Sequence, residues 1–259
     1  DTVVSEPDIL VLNVLKNNNV NCFGGSDGSA TASVTGGTLP YTYNWSTGDT
    51  SATSSSFVIG SYTVTVVDTN GCIDSGMISF TQPQPLSMST ASDSTRCFGD
   101  STGVARIFSP LGGVSPYVIS WNTGYVGHTL TGVPSGSYVG TLTDANGCTL
   151  IDTVEVSDQQ PMQITLDVTD ATCQFGSDGS ILATASSVYG GYSYAWSNAT
   201  TANPAVGLMD GTSYTVTVTD NEGCTSTSTD QVGYLNAAPM VDLGNDTAYG
   251  IPSLVNLAS

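Results

Sequence analysis

Short runs in which apolar and polar residues alternate recur along the whole chain, separated by turns rich in glycine, asparagine and aspartate. In Tyr62-Thr-Val64-Thr-Val66 the tyrosine and the valines share one face, because successive side chains of a strand point to opposite sides. Such alternation is typical of half-buried β-strands. Over the first 80 or so residues it predicts strands near 9–15, 29–35, 41–46, 56–59, 61–68 and 75–81.

The six cysteines mark a repeat with a period of 75 or 76 residues, and the two cysteines within each repeat are 50 or 51 residues apart. The same motifs lie within each pair: a glycine-rich turn, an aromatic run that ends in tryptophan, and a closing Asp-x-x-Gly-Cys turn. A tyrosine always stands ten residues before the second cysteine, and an aspartate four residues before it. The residues that recur at these fixed positions are Trp45, Trp121, Trp196, Tyr62, Tyr138, Tyr214, Asp68, Asp144 and Asp220.

This period predicts an all-β protein of tandem, small, immunoglobulin-like antiparallel β-sandwiches, since each repeat holds six or seven short strands. We expect one disulfide in each sandwich and an arrangement as an extended fibre. The expected domains are the last strand of a preceding repeat at 1–6, three repeats at 7–83, 84–160 and 161–238, and the start of a different β domain at 239–259.

An even number of cysteines, repeated once per unit, implies an oxidising compartment. Pairing within each repeat is the simplest connectivity, although six cysteines allow 15. A bridge that closes about 50 residues would contribute about 4 kcal/mol in the chain-entropy model. The alternative of a metal site has little support, because the chain lacks Cys-x-x-Cys and His128 is its single histidine. We therefore expect disulfides at Cys22, Cys72, Cys97, Cys148, Cys173 and Cys224.

Charge narrows the range of partners. The chain has 22 acidic and 3 basic residues, for a net charge of −19. With only Lys16, Arg96 and Arg106 there is no basic patch, so we expect neither nucleic acid binding nor docking on an anionic membrane. No apolar run reaches the roughly 18 residues of a membrane-spanning helix. Most of the acids are aspartates in turns, where they satisfy backbone N–H groups, so the charge reflects turn chemistry.

Catalytic chemistry is not evident in the sequence. His128 occurs in one repeat and has no partner base, and the aspartates stand beside glycines in turns. We therefore predict a non-enzymatic protein without a cofactor. Structural calcium is the less favoured alternative to simple turns, because no complete calcium loop is present and Thr102 replaces an aspartate in the second repeat. The candidate ligands would be Asp27, Asp68, Asp100, Asp144, Asp178 and Asp220.

Four motifs together resemble the SprB repeat of very large surface proteins of Bacteroidota. They are Cys-x-Gly-x-x-Asp-Gly, Gly-Gly-x-x-Pro-Tyr-x-Tyr-x-Trp-Ser-x-Gly, Gly-Ser-Tyr-Thr-Val-Thr-Val and Asp-x-Asn-Gly-Cys. The resemblance covers roughly residues 7–238. Repeat 2 departs from it at Thr102, and repeat 3 has Glu222 in place of the asparagine of the closing turn.

The resemblance implies a section of a long, extracellular, outer-membrane-anchored filament or adhesin that serves in surface attachment and gliding. Its partners would be neighbouring repeats and surface polysaccharide or the substratum. Regions of the protein outside residues 1–259 would contact the type IX secretion and gliding machinery. It also suggests O-glycosylation at Asp-Ser/Thr motifs, with candidate acceptors Thr2, Ser94, Ser101, Thr153 and Thr247.

The alternative function is a glycan- or calcium-binding β-sandwich module of a secreted protein. Tyr125 and Tyr189 occur outside the repeated pattern, and such aromatics could stack on a sugar ring. The sequence does not distinguish stalk repeats from repeats that contact a ligand.

Overall fold

The computed structural model describes residues 6–236, which contain eighteen β-strands and no helix. It follows that this part of the chain has no helix able to cross a membrane. The chain divides into two compact units, residues 1–159 with the first two repeats and residues 160–259 with the third. The expected strand at 1–6 and the expected β domain at 239–259 lie almost wholly outside the described residues.

Repeat 1 folds into two three-stranded antiparallel sheets, ordered β1-β2-β4 and β3-β5-β6. The six predicted strands are confirmed, with shifted ends. Ile9 is 85% exposed and precedes the first strand, which extends instead to Asn18, because Lys16 pairs with Ala30 and Asn18 pairs with Ser29. The strands are β1 Val11–Asn18, β2 Gly28–Thr35, β3 Thr42–Trp45, β4 Thr53–Phe57, β5 Gly60–Val67 and β6 Ile73–Phe80.

Repeats 2 and 3 have the same topology, with sheets β7-β8-β10, β9-β11-β12, β13-β14-β16 and β15-β17-β18. In repeat 2 the strands are β7 Ser87–Asp93, β8 Gly103–Leu111, β9 Val118–Trp121, β10 Thr129–Val133, β11 Gly136–Thr143 and β12 Thr149–Val156. In repeat 3 they are β13 Gln163–Thr169, β14 Gly179–Ser186, β15 Ser193–Trp196, β16 Ala205–Leu208, β17 Ser213–Thr219 and β18 Thr225–Gln231.

This strand order corresponds to strands A-B-E and C-F-G of an immunoglobulin sandwich. Trp45 on β3 is buried, and its indole N–H donates to the carbonyl of Ser51 at 2.9 Å. The Tyr138 hydroxyl donates to the carbonyl of Pro134 at 2.8 Å, which is the geometry of a tyrosine corner at the start of strand F. The tyrosine corner is therefore present although the cysteine lies ten residues further on, in the turn that follows this strand.

Each sandwich has its own core, and equivalent positions differ in size. In repeat 1, Phe57 and Phe80 stack with ring centroids 4.6 Å apart. The equivalent residues of repeat 2 are Val133 and Val156, both buried. The sequence pattern thus specifies which positions face inward. The side chains that fill these positions, and how they pack, differ from one repeat to the next.

Candidate functional site: the covalent junction between repeats 1 and 2

The second cysteine of each repeat lies in a tight turn between the last two strands, held by a buried aspartate. In repeat 2 one oxygen of Asp144 accepts hydrogen bonds from the N–H groups of Cys148 at 2.8 Å and Asn146 at 2.9 Å. Its other oxygen accepts from the N–H of Val114 at 2.8 Å, in the loop before β9. The aspartate therefore fixes the cysteine turn to a neighbouring loop.

Asp68 makes the equivalent turn in repeat 1. Its carboxylate accepts from the N–H groups of Cys72 at 2.8 Å and Thr38 at 2.9 Å. Burial raises the pKa of Asp68, but hydrogen bonds from the N–H groups of Thr38, Cys72 and Asn70 outweigh that effect. The pKa therefore lies below the ordinary value of 3.8, and the turn is built around a charged carboxylate.

The first cysteine of repeat 1 lies in a turn just after β1. Asp27 closes this turn by accepting from the backbone N–H of Asn21 at 3.0 Å. Asp178 does the same in repeat 3, where the N–H of Thr172 donates at 3.0 Å. In repeat 2 the hydroxyl of Thr102 replaces the carboxylate and accepts from the equivalent N–H of Arg96 at 2.5 Å.

These turns account for the aspartates that were candidate calcium ligands. Their oxygens accept backbone and side-chain hydrogen bonds, as the turn interpretation expects. Among residues 6–236, no three His, Cys, Asp or Glu side chains are grouped so that they could hold a metal ion. Structural calcium stays an untested prediction.

The expected pairing of cysteines within each repeat is wrong. Cys22 of repeat 1 is bonded to Cys148 of repeat 2, across 126 residues and with a Cα–Cα distance of 5.7 Å. Cys97 and Cys224 are also disulfide-bonded. Cys72 and Cys173 are exposed free thiols, which contradicts the expectation that all six cysteines form disulfides within this chain.

The geometry of the sandwich explains why Cys22 cannot reach Cys72. The N–H of Val20 donates to the carbonyl of Thr81 at 3.1 Å, so the Cys22 turn lies at the end of β6, whereas Cys72 immediately precedes its start. The eight residues of this strand span about 26 Å at roughly 3.3 Å per residue. A disulfide requires Cα atoms within about 7 Å. The two cysteines thus lie at opposite ends of the sandwich.

Further contacts surround the disulfide between repeats 1 and 2. The side-chain amide of Asn146 donates to the backbone carbonyl of Asn21 at 2.9 Å. A cleft of about 400 Å³ adjoins the bond, lined by Phe23 from repeat 1 and by Pro85 and Leu86 from repeat 2. The junction is therefore a covalent bond with a polar contact and an apolar cleft beside it.

The spacing of the cysteines does not favour this pairing. Within a repeat the two cysteines are 50 or 51 residues apart, and a first cysteine is 126 or 127 residues from the second cysteine of the next repeat. Both spacings are equally regular. The deciding signal was the strand order, which places the two turns at opposite ends. The roles of Asn21, Phe23 and Asn146 were missed for the same reason.

The remaining predicted residues lie apart from this junction. Ser94, Ser101 and Thr153 are exposed, so they are accessible to a modifying enzyme, while Thr2 and Thr247 fall outside the described residues. Their glycosylation stays a prediction. Tyr125 and His128 are exposed in the segment between β9 and β10, and Tyr189 is half-buried.

Comparison with known proteins agrees with the repeated motifs. The family model described as the SprB repeat matches residues 17–50 and 165–201. These two segments are similar to the SprB repeat. The resemblance drawn from the motifs is thereby confirmed. The matched segments include the two cysteine turns closed by Asp27 and Asp178. No curated protein sequence matches the chain.

Several solved structures of tandem immunoglobulin domains are similar to this chain, at low sequence identity. The N-terminal eight Ig domains of the Down Syndrome Cell Adhesion Molecule are 12% identical over 88% of this chain and 36% of that one, with a TM-score of 0.43. Immunoglobulin domains 1–5 of Sidekick-1 are 13% identical over 91% and 61%, with a TM-score of 0.33. The chain thus spans less than two thirds of either structure.

The sheets described above settle the fold class as all-β, with tandem immunoglobulin-like sandwiches. The expected single disulfide within each sandwich is replaced by a link between sandwiches. The extended fibre and the domain boundaries stay predictions. The similarity to the SprB repeat also indicates a cell-surface repeat protein.

Proposed function

We propose that this chain is a non-enzymatic section of a long cell-surface filament or adhesin that serves as stalk or adhesive repeat in surface attachment and gliding motility. SprB repeats support the surface location. The observation that carries the proposal is the bond between Cys22 and Cys148, because it joins consecutive sandwiches covalently. Export by a type IX system and anchoring at the outer membrane belong to the same proposal.

The mechanical consequence follows from where the bond lies in the chain. Tension that enters upstream of Cys22 and leaves downstream of Cys148 passes through the disulfide and bypasses the residues between them. While the bond is intact, Cys22 and Cys148 cannot be pulled apart, whichever strands between them unfold. A filament built in this way resists extension without needing strong hydrogen-bonded interfaces in every sandwich.

Single-molecule stretching tests this role directly. When the chain is pulled from its ends, we expect reduction to release about 440 Å of additional contour length, from 126 residues at about 3.5 Å each. The Cys72→Ser variant should behave like the parent chain, since Cys72 is a free thiol. An equal contour length before and after reduction would show that the bond does not protect the chain from extension.

Surface display and attachment need a test on cells. Antibodies against this chain should label intact, unpermeabilised cells of the source organism, and bound antibody should reduce attachment and gliding. Labelling that appears only after permeabilisation would contradict the surface location. Labelling of intact cells with unchanged attachment would contradict the adhesive role.

The alternative of a glycan-binding module is favoured by one observation. Tyr125 is 47% exposed beside Val126, which is 62% exposed, so an aromatic ring and an apolar side chain face solvent together in repeat 2. Titration with surface polysaccharide, with and without Ca²⁺, should show saturable binding that is lost in Tyr125→Ala. Absence of binding in the parent chain would eliminate this function.

A further inference from the structure

The junction between repeats 1 and 2 is made of two unlike halves. We call the contribution of repeat 1 the plug: the turn residues Asn21, Cys22 and Phe23. We call the contribution of repeat 2 the socket, formed by Pro85, Leu86, Asn146, Cys148 and Thr149. Because the halves differ, every repeat can carry both, one at each end of its sandwich.

Repeat 1 carries a complete socket of its own. The equivalent residues are Ile9, Leu10, Asn70, Cys72 and Ile73, at the same offsets from the aspartate turn. Ile9 is 85% exposed and Ile73 is 67% exposed, and the thiol of Cys72, next to Ile73 in the chain, is exposed as well. The Asp68 turn holds Cys72 as the Asp144 turn holds Cys148.

In the socket of repeat 1, Asn70 lacks the hydrogen bond to another repeat that Asn146 makes in repeat 2. In repeat 2 the amide of Asn146 crosses the junction and donates to the carbonyl of Asn21 at 2.9 Å. In repeat 1 the amide of Asn70 instead donates to the hydroxyl of Thr38 within its own repeat, also at 2.9 Å. Repeat 1 therefore has a preformed turn, a free thiol and two exposed isoleucines at the socket positions. In repeat 2 the same positions hold the plug of repeat 1.

Repeat 3 carries the complementary half. Cys173 is an exposed free thiol in a turn closed by Asp178, as Asp27 closes the turn of Cys22. Phe175, two residues after this cysteine, is 80% exposed. In repeat 1 the aromatic residue, Phe23, is the first after the cysteine, whereas in repeat 3 it is the second.

We propose that the socket of repeat 1 and the plug of repeat 3 each bind a further copy of the same repeat, with Cys72 and Cys173 forming disulfides equivalent to that between Cys22 and Cys148. Each bond forms when two thiols lose two protons and two electrons to a small disulfide such as oxidised glutathione, which is reduced to two thiols. The contact joins unlike surfaces head to tail, so it can continue indefinitely.

The copy that fills either site can belong to the same polypeptide or to another one. A repeat is favoured over an unrelated partner because the observed junction already shows a matching surface for each half. The proposal does not depend on whether the filament serves attachment or gliding, and it can fail while that function stands.

The first experiment uses the chain of residues 1–259 in a buffer of oxidised and reduced glutathione. We expect a series of disulfide-linked multimers whose new cross-linked peptide joins Cys72 to Cys173. Cys72→Ser and Cys173→Ser should each abolish the multimers, and a mixture of these two variants should form dimers and nothing longer. Dimers of either variant alone, or a bond between Cys22 and Cys72, would overturn the proposal.

A second pair of variants separates the socket from simple thiol reactivity. With the cysteines intact, Ile73→Asn should slow cross-linking about tenfold, because it removes the apolar burial of one isoleucine without placing a charge beside the thiol of Cys72. Ile151→Asn is the matched control, since Ile151 is a similarly exposed isoleucine in repeat 2 and should leave the rate unchanged. Equal rates for both variants would show that the surface around Cys72 is not a docking site.

The third experiment uses the intact protein from its source, alkylated before any reduction. We expect Cys72 and Cys173 to escape alkylation and to appear in peptides bonded to another SprB-type repeat. An unchanged size on reduction assigns that repeat to the same polypeptide, and a decrease assigns it to a second one. Alkylated Cys72 and Cys173 would refute the proposal.

Discussion

Cys72 and Cys148 occupy the same turn in two successive repeats, yet one is a free thiol and the other is bonded across the junction. Their local structures agree closely, since an aspartate four residues earlier accepts the cysteine N–H at 2.8 Å in both. The difference lies in the neighbour: of these two turns, the one in repeat 2 is bonded to the plug of repeat 1. Local sequence thus fixes the position of the thiol, and the adjoining repeat decides whether it is bonded.

A second contrast between these repeats lies in their cores. Two residues after the corner tyrosine, repeat 1 has Val64 and repeat 2 has Gly140. A Cβ added at Gly140 would lie 2.1 Å from the Cδ1 of Ile107, which leaves no room for a side chain. The residue equivalent to Ile107 in repeat 1 is Ala32. A large and a small residue have therefore exchanged places between two buried strands.

The largest expected effect concerns the two cysteines. Cys148→Ser should destabilise the linked pair of repeats by up to about 5 kcal/mol, because the unfolded chain is no longer closed across more than 100 residues. Cys72→Ser should change the free energy of unfolding by less than about 0.5 kcal/mol. Urea unfolding without reductant measures both. Equal destabilisation by the two variants would mean that Cys72 has a structural role within its own repeat.

The next effect tests the exchange in the cores. Ile107→Ala should cost about 2–5 kcal/mol through the cavity it leaves. Gly140→Val should cost about 1–3 kcal/mol or more through overpacking. The double variant recreates the combination of repeat 1 and should be more stable than the sum of the single changes predicts. Strict additivity in thermal unfolding would show that the two positions are not coupled.

A smaller effect is expected at the cysteine turn of repeat 2. Asp144→Asn should cost about 1–3 kcal/mol, because an amide cannot accept all three N–H groups that the carboxylate satisfies. Hydrogen exchange should rise at Val114, Asn146 and Cys148. Asp152→Asn, on an exposed position of β12, is the matched control and should leave these rates unchanged.

The smallest effect is a pH dependence in repeat 1. The pKa of Asp68 is lower in the folded chain than its ordinary value of 3.8, so its carboxylate contributes stability above that pH. This contribution is lost as the pH falls through the folded pKa. Asp68→Asn should therefore reduce the dependence of stability on acid pH in this repeat. A parallel acid profile for parent and variant would contradict the role of the carboxylate.

Much of the fold could be predicted because it depends on local periodicity. Alternation predicted six strands in repeat 1, and the regular tryptophans and tyrosines predicted three similar sandwiches. The core fillings could not be predicted in the same way, since Gly140 is meaningful only beside Ile107, which lies 33 positions earlier in the chain. Contacts between distant strands leave no periodic trace in one sequence.

The sequence by itself determined the repeat, the alternation of its strands and the turns that hold each cysteine, because these depend on residues a few positions apart. Only the tertiary structure decided which cysteines can meet. Spacings of 50 and 126 residues were equally regular, but the length of β6 separates Cys22 from Cys72 and leaves the next repeat within reach. The physical reason is that a disulfide requires two cysteines to lie close together in space, whereas a sequence repeat specifies only how far apart they are along the chain.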